Sequence, residues 1–131
     1  MLRPVHALML DVLTSYPSGI SLNALAALLK GKVARSIVLR EVKKLSDMSL
    51  VRIVRDERHK QRRIVIPREE LTLFSNSLMK LRPSSFEEAV ARLPKMLILF
   101  KEAKVKSENK HFVDYFKHRM KEELSLALEV I

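Results

Sequence analysis

The amino-acid sequence predicts a mostly α-helical fold with one small β element. Apolar residues recur at helical spacing over residues 4–48, alternate with basic residues over residues 50–66, and return to helical spacing after Pro67. The 131 residues suffice for a small domain with an appended helical segment. We therefore predict one domain over residues 1–67 and a helical extension over residues 68–131.

The first two helices are short. Proline suits a first helical turn, so the first helix is predicted over about residues 4–15. Ser21 is expected to cap the second helix, which Gly31 ends. The inward side of the first helix should hold six residues: Val5, Leu8, Met9, Val12, Leu13 and Tyr16.

The third helix, over roughly residues 33–48, has two chemically different sides. Its predicted inward stripe comprises Ala34, Val38, Val42 and Leu45. Its outward side, with the residue just before it, carries Lys32, Arg35, Ser36, Leu39, Arg40 and Lys43. Two interpretations of Leu39 stay open, contact with a thymine methyl group or burial in the core. Glu41 is expected to pair with a basic neighbour.

A hairpin follows the third helix. Residues 50–55 and 62–66 alternate apolar with basic side chains, which is typical of half-buried strands, and residues 56–61 form a polar tip. We expect a sheet of two or three strands that Pro67 closes, since proline lacks a ladder donor. The candidate contact residues at this tip are Arg58, His59, Lys60 and Arg62.

The extension is predicted to contain three helices. The first spans residues 68–81 and ends at the Arg-Pro pair of residues 82 and 83. Ser84 or Ser85 with Glu88 resembles a capping box that opens the next helix, which Pro94 should kink or split. That helix carries apolar residues at spacings of 4, 3, 4 and 3: Phe86, Val90, Leu93, Leu97 and Phe100.

The last helix, from near Ser107, is the predicted dimerisation helix. One side of it carries Phe112, Phe116, Met120, Leu124, Ala127 and Ile131. A chain of this size has few residues left to bury such a long apolar side. We therefore expect a second copy of the chain to pack against it. Alternatively, this helix folds back on residues 86–100 and closes a monomeric core.

The net charge points to a polyanionic partner. The chain has 25 Lys and Arg against 15 Asp and Glu, a formal charge of +10. Residues 30–63 hold twelve basic and four acidic residues, whereas residues 67–131 hold twelve and ten. Because the positive charge is concentrated in the third helix and the hairpin, we expect double-stranded DNA as the partner.

Three helices followed by a hairpin within about 65 residues is the order of a winged helix-turn-helix. Residues 20–67 (ISLNALAALLKGKVARSIVLREVKKLSDMSLVRIVRDERHKQRRIVIP) also resemble the winged-helix regulators of the multiple-antibiotic-resistance (MarR) type. Asp56 and the Gln-Arg-Arg run at residues 61–63 resemble the wing signature of that family. Ser49 departs from it, since glycine is usual there, and so does Gln61, since aspartate is usual. The resemblance implies a dimeric transcriptional regulator.

The sequence offers little for catalysis. It has no cysteine, no glycine-rich phosphate loop and no nucleophile elbow, and paired acids such as Glu122 and Glu123 are expected on exposed faces. His111, Asp114 and His118 share one helical face, which we interpret as a solvated polar stripe rather than a metal site. We expect no enzyme activity, cofactor or metal.

Composition and apolar run lengths predict a cytoplasmic protein with no membrane partner. The scarcity of Asn, Gln and Gly favours a thermophilic source. Two alternatives to a regulator stay open: a winged-helix module that binds proteins in transcription or replication machinery, and an architectural protein that binds DNA without sequence preference.

Overall fold

A computed structural model of the chain describes residues 2–59 and 61–131. It is mostly helical with a small three-stranded antiparallel sheet, which is compatible with a winged helix. The elements in chain order are α1 (Pro4–Leu13), β1 (Ile20–Ser21), α2 (Leu22–Leu28), α3 (Arg35–Asp47), β2 (Val51–Arg55), β3 (Arg63–Pro67), α4 (Glu69–Lys80), α5 (Phe86–Lys106) and α6 (Lys110–Leu128). None of the helices in these described ranges combines the length and apolarity needed to span a bilayer.

The chain forms two compact units, which divide between Thr72 and Leu73 inside α4. The first unit contains the sheet, in the order β1-β3-β2. Strand β1 is absent from the sequence prediction because two residues are too few to establish an alternating pattern. It pairs with β3 through Ile20 opposite Val65.

Gly19 makes the close approach of β1 to β3 possible. Its φ is +95°, in the left-handed region that favours glycine. A Cβ at this position would lie 2.7 Å from Cγ1 of Ile66 and 2.9 Å from the carbonyl oxygen of Val65. Any side chain here would therefore displace β3.

The buried side of α1 differs from the prediction. Its buried residues are His6, Ala7, Met9, Leu10 and Leu13. Val5, Leu8 and Val12 are only partly buried, and Tyr16 lies beyond the helix end and is exposed. Because α1 is apolar around most of its circumference and packs on α2, α3 and β3, apolar spacing alone does not select its inward side.

Helix α3 begins two residues later than predicted. Ala34 is its N-cap and is exposed, so it does not belong to the inward stripe. The other three predicted members, Val38, Val42 and Leu45, are buried. Helix α3 ends in a Schellman motif, in which the Leu50 amide donates to the carbonyl oxygen of Leu45 at 3.0 Å.

Ser49 occupies the left-handed position of this motif, with φ at +61°. Its amide donates to the carbonyl oxygen of Ser46 at 3.0 Å. Glycine is the usual residue at this position because it has no Cβ to clash. The turn that leads from α3 into β2 is therefore strained at one residue.

The second unit consists of the end of α4 with α5 and α6. Ser85 is the N-cap of α5, since its Oγ accepts from the Glu88 amide at 3.1 Å. Glu88 accepts in return from the amide of Ser84, the residue before the N-cap, at 2.8 Å, so the predicted capping box is present only in part. Helix α5 is not split at Pro94. Helix α6 begins at Lys110, after the N-cap Asn109, rather than near Ser107.

A buried polar cluster holds the second unit together. The carboxylate of Glu123 accepts two hydrogen bonds from Arg82, at 2.9 and 2.7 Å, and one from Arg119 at 2.8 Å. Arg119 also donates to Oγ of Ser75 at 3.0 Å. Burial alone would raise the pKa of Glu123, but the hydrogen bonds from the two arginines outweigh it and lower the pKa.

The prediction that Glu123 lies on an exposed face is therefore wrong. Its side chain is fully buried, whereas its neighbour Glu122 is partly exposed. The two arginines that surround Glu123 lie 41 and four residues away in sequence. The longer separation explains why a local pattern of acidic residues does not reveal the cluster.

The predicted dimerisation stripe of α6 is largely covered within the single chain. Phe116, Met120 and Ala127 are buried, and the Phe116 ring lies 4.3 Å from that of Phe74. Phe112 and Leu124 are partly buried. Ile131 is exposed beyond the helix end. This stripe therefore leaves little apolar surface for a second copy, and pairing through it stays a prediction.

Candidate nucleic-acid interface

The outward face of α3 is exposed at every position that the sequence singles out. The exposed residues are Lys32, Arg35, Ser36, Leu39, Arg40 and Lys43. Leu39 is 39% exposed, so it belongs to this face and not to the core. The face combines positive charge with one hydroxyl group and one apolar side chain, which are the groups that can contact phosphates and base edges.

Glu41 lies directly beneath this face, with a fully buried side chain. Its Oε2 lies 3.0 Å from Nε2 of His6, and its Oε1 lies 3.2 Å from Nη1 of Arg3. On its own helix, Oε1 lies 3.4 Å from Nη2 of Arg40 and 3.5 Å from Nζ of Lys44. One buried carboxylate thus meets four basic side chains.

This environment lowers the pKa of Glu41 from 4.5 to about 2, chiefly through the hydrogen bond with His6 and against the effect of burial. Glu41 is therefore ionised at neutral pH and joins α1 to α3. The expected pairing with a basic neighbour is confirmed by Arg40 and Lys44. The sequence does not predict the contacts of Glu41 with His6 and Arg3, because 35 and 38 residues separate these side chains from Glu41.

Arg35 at the start of α3 is also held in place. Its guanidinium group donates a hydrogen bond to Oδ1 of Asn23 on α2. Helix α2 is itself fixed at its N-terminus by Ser21, whose Oγ accepts from the Ala24 amide at 3.0 Å. The first arginine of the exposed face is thus oriented by the preceding helix, and the predicted cap Ser21 is confirmed.

Asp56 organises the tip of the β2–β3 hairpin. Its Oδ1 accepts from the Arg58 amide at 3.0 Å, and its own amide donates to the carbonyl oxygen of Arg62 at 2.9 Å. The Arg62 guanidinium lies 3.9 Å from Oδ2 of Asp56. Arg58, His59 and Arg62 are exposed, whereas Lys60 lies outside the described residues.

Two arginines that are not among the candidate contact residues meet at the base of this tip. Arg55 is the direct partner of Arg63 in the β2–β3 register, and both are exposed. Like charges directly opposite each other destabilise a strand pair. A bound anion between or beside them would offset that repulsion. Alternation of charge along each strand is visible in the sequence, but the register that brings these two together is not.

The described part of this surface therefore offers cations, a hydroxyl group and exposed apolar carbon. These groups can bind a polyanion. Comparisons of the chain with protein-family models, with curated proteins and with solved structures return no match.

Proposed function

We propose that this protein is a winged helix-turn-helix transcriptional regulator that binds duplex DNA as a homodimer. Helix α3 enters the major groove, and the β2–β3 hairpin contacts the backbone or the minor groove. The proposed role is binding rather than catalysis, and it requires no cofactor.

The element order of the first unit supports the winged-helix assignment. Helix α1, strand β1, helices α2 and α3, and strands β2 and β3 follow one another as in that fold. The resemblance of residues 20–67 to MarR-type regulators supports a role in transcription.

The observation that carries the proposal is the segregation of α3 into two sides. The residues that could contact a base or a phosphate are all exposed, whereas Val38, Glu41 and Val42 between them are buried. A helix with such a face fits the major groove, which is about 12 Å wide. Glu41 holds Arg40 and Asn23 holds Arg35 in the free protein. These two side chains therefore lose less conformational freedom when the protein binds DNA.

The arginines of the hairpin support a second contact. Arg55 and Arg63 repel each other in the free protein, so a phosphate oxygen beside them would relieve an unfavourable pairing. Arg58 and Arg62 extend the same charge to the tip. In this proposal the hairpin contributes affinity through the backbone, and α3 contributes sequence preference.

The proposal is tested by measuring duplex affinity over a range of salt concentrations. Displacement of counterions by several phosphate contacts should make the affinity fall steeply as salt rises. Absence of binding at low salt would refute the proposal and favour a protein-interaction module. Binding with the same affinity for all sequences would favour an architectural protein, because regulators prefer their sites by about 10³-fold or more.

A further inference from the structure

Helix α5 has an apolar stripe that the rest of its own unit does not cover. The stripe, called here the α5 stripe, comprises Phe86, Val90, Leu97, Ile98 and Val105. Each of these side chains is more than half exposed; Leu97 is 55% exposed and Val90 61%. A different side of the helix is the buried one, since Ala89 and Met96 are fully buried there.

Exposed large apolar side chains are concentrated in the second unit. Among the described residues of the first unit, four large apolar side chains are exposed: Tyr16, Leu28, Leu39 and Ile53. Ten lie in the smaller second unit, and half of these form the α5 stripe. Several large exposed apolar side chains on one side of a helix mark an interaction site.

The charges along the α5 stripe indicate what covers it. Its N-terminal end carries Glu87, and its C-terminal end carries Lys101 and Lys104. The helix is 21 residues long, or about 31 Å. A partner helix that runs antiparallel and carries the same charges would thus place acid beside base at both ends.

A second copy of α5 meets this requirement. Pro94 lies on the same side of the helix as the stripe, seven residues after Glu87 and seven before Lys101. A two-fold axis beside Pro94 brings Glu87 of each copy to the height of Lys101 of the other. It also brings Val90 to the height of Ile98. In a parallel pair, Glu87 would instead lie beside Glu87 of the other copy and Lys101 beside its Lys101, and like charges repel.

We infer that the protein dimerises through the α5 stripe, with two antiparallel α5 helices related by a two-fold axis near Pro94. The inference deepens the homodimer of the proposed function and rests on it, but it does not depend on DNA binding. It also moves the contact from the predicted α6 stripe, whose central residues are covered within one chain.

Sedimentation of the full chain at micromolar concentration tests the inference. The parent protein should be a dimer. Leu97→Glu should raise the dimer dissociation constant at least about 30-fold, because it places a charge in the centre of the apolar contact. The matched control is Leu128→Glu, which changes an even more exposed leucine outside the stripe and should leave the dimer intact. Circular dichroism verifies that both variants are folded.

A charge exchange tests the antiparallel direction. Glu87→Lys and Lys101→Glu should each weaken the dimer, and the double variant should restore it. Restoration is specific to an antiparallel pair, because in a parallel pair each exchanged residue still meets a like charge.

Cross-linking gives a second measurement of the axis. The chain has no cysteine, so an introduced one reports a single position. Pro94→Cys should form a disulfide between copies, whereas Val105→Cys should not, since eleven residues separate it from the axis and the two copies would lie about 33 Å apart.

The results for the interface and for DNA binding are separable. A monomeric parent protein, or a dimer that Leu97→Glu and the charge exchanges leave unchanged, would overturn the α5 interface. A dimer with all the expected responses but without affinity for DNA would refute the proposed function and leave the interface standing.

Discussion

Nε2 of His6 lies 3.0 Å from Oε2 of Glu41, and both side chains are buried. This contact joins α1 to the helix that presents the candidate DNA-binding face. Removal of one partner from a buried pair leaves the other without compensation for its lost hydration. The stability of the first unit should therefore depend on the charge of Glu41.

The first prediction concerns pH. The pKa of Glu41 is about 2 in the folded protein and 4.5 ordinarily, so the unfolded chain binds the proton first as the pH falls. The carboxylate thus stabilises the fold above about pH 4.5, and this stabilisation is lost as the pH falls from 4.5 towards 2. Glu41→Gln should lower the Tm at pH 7, and the difference from the parent should shrink towards pH 2.

The matched control for this prediction is Glu57→Gln, which changes an exposed acid in the hairpin tip and should leave the Tm unchanged. A Glu41→Gln protein as stable as the parent at pH 7 would contradict the account. So would a difference in Tm that stays constant down to pH 2.

The second prediction concerns the strained turn after α3. Ser49→Gly should stabilise the protein by about 1 kcal/mol, because it removes the cost of a Cβ at φ of +61°. Ser125→Gly, on the exposed side of α6, is the control and should lower the stability, since glycine disfavours a helix. Urea unfolding measures both. A destabilised Ser49→Gly protein would show that the serine hydroxyl matters more than the backbone strain.

The third prediction compares two glycines. Both Gly19 and Gly31 have positive φ, but only at Gly19 would a Cβ meet neighbouring atoms. Gly19→Ala should therefore be the more destabilising substitution, since it adds a clash with Ile66 and the β3 backbone to the strain that Gly31→Ala also introduces. Urea unfolding measures the free energy of unfolding of both variants. If the two variants lost the same amount, β1 would not pack on β3 as described.

The fourth prediction concerns Phe116 on α6. Phe116→Ala should cost about 3 to 5 kcal/mol of unfolding free energy, because the ring is buried against Phe74. Leu128→Ala, at an exposed position on the same helix, should cost less than about 0.5 kcal/mol. If Phe116→Ala instead dissociated a dimer and left the unfolding free energy of the monomer unchanged, the α6 stripe would be the interface.

The sequence predicts the helices, the hairpin and the exposed side of α3 well, because those features repeat locally. On α3, apolar and basic residues are segregated so clearly that Leu39 is the only position left open. Strand β1 is missed because two residues carry no period. The buried side of α1 is misplaced because apolar residues surround that helix.

Long-range ion pairs are the features that local patterns do not reveal. Glu41 is recognisable as an acid in an otherwise apolar stripe, but its partner His6 lies on another helix and has no distinctive neighbours. Glu123 follows Glu122, and adjacent acidic residues on a helix are usually solvated. Only the fold brings Arg82 into contact with Glu123. Phe86, Val90 and Leu97 of the α5 stripe belong to the heptad-like series in the sequence, but Ile98 and Val105 do not, and the spacing alone does not tell which apolar side chains are exposed.

A fifth prediction separates the two DNA contacts. Arg40→Ala should weaken binding to a preferred site by about 1 to 3 kcal/mol and relax the preference at one base position, if Arg40 contacts a base. Arg58→Ala should weaken binding to all sequences alike and reduce the salt slope by about one, as expected for a phosphate contact. Affinities measured on a preferred and a scrambled duplex check this. Equal losses on both duplexes for both variants would leave base reading by α3 unsupported.

Selection of bound sequences from a random duplex pool tests the central claim most directly. If α3 reads bases in each copy of a homodimer, the selected pool should converge on a two-fold symmetric site, with half-sites about 34 Å apart when they lie on one face of the DNA. The same selection with Arg40→Ala should lose the preference at one position in each half-site. A pool that remains unenriched, although the protein binds it, would contradict the claim.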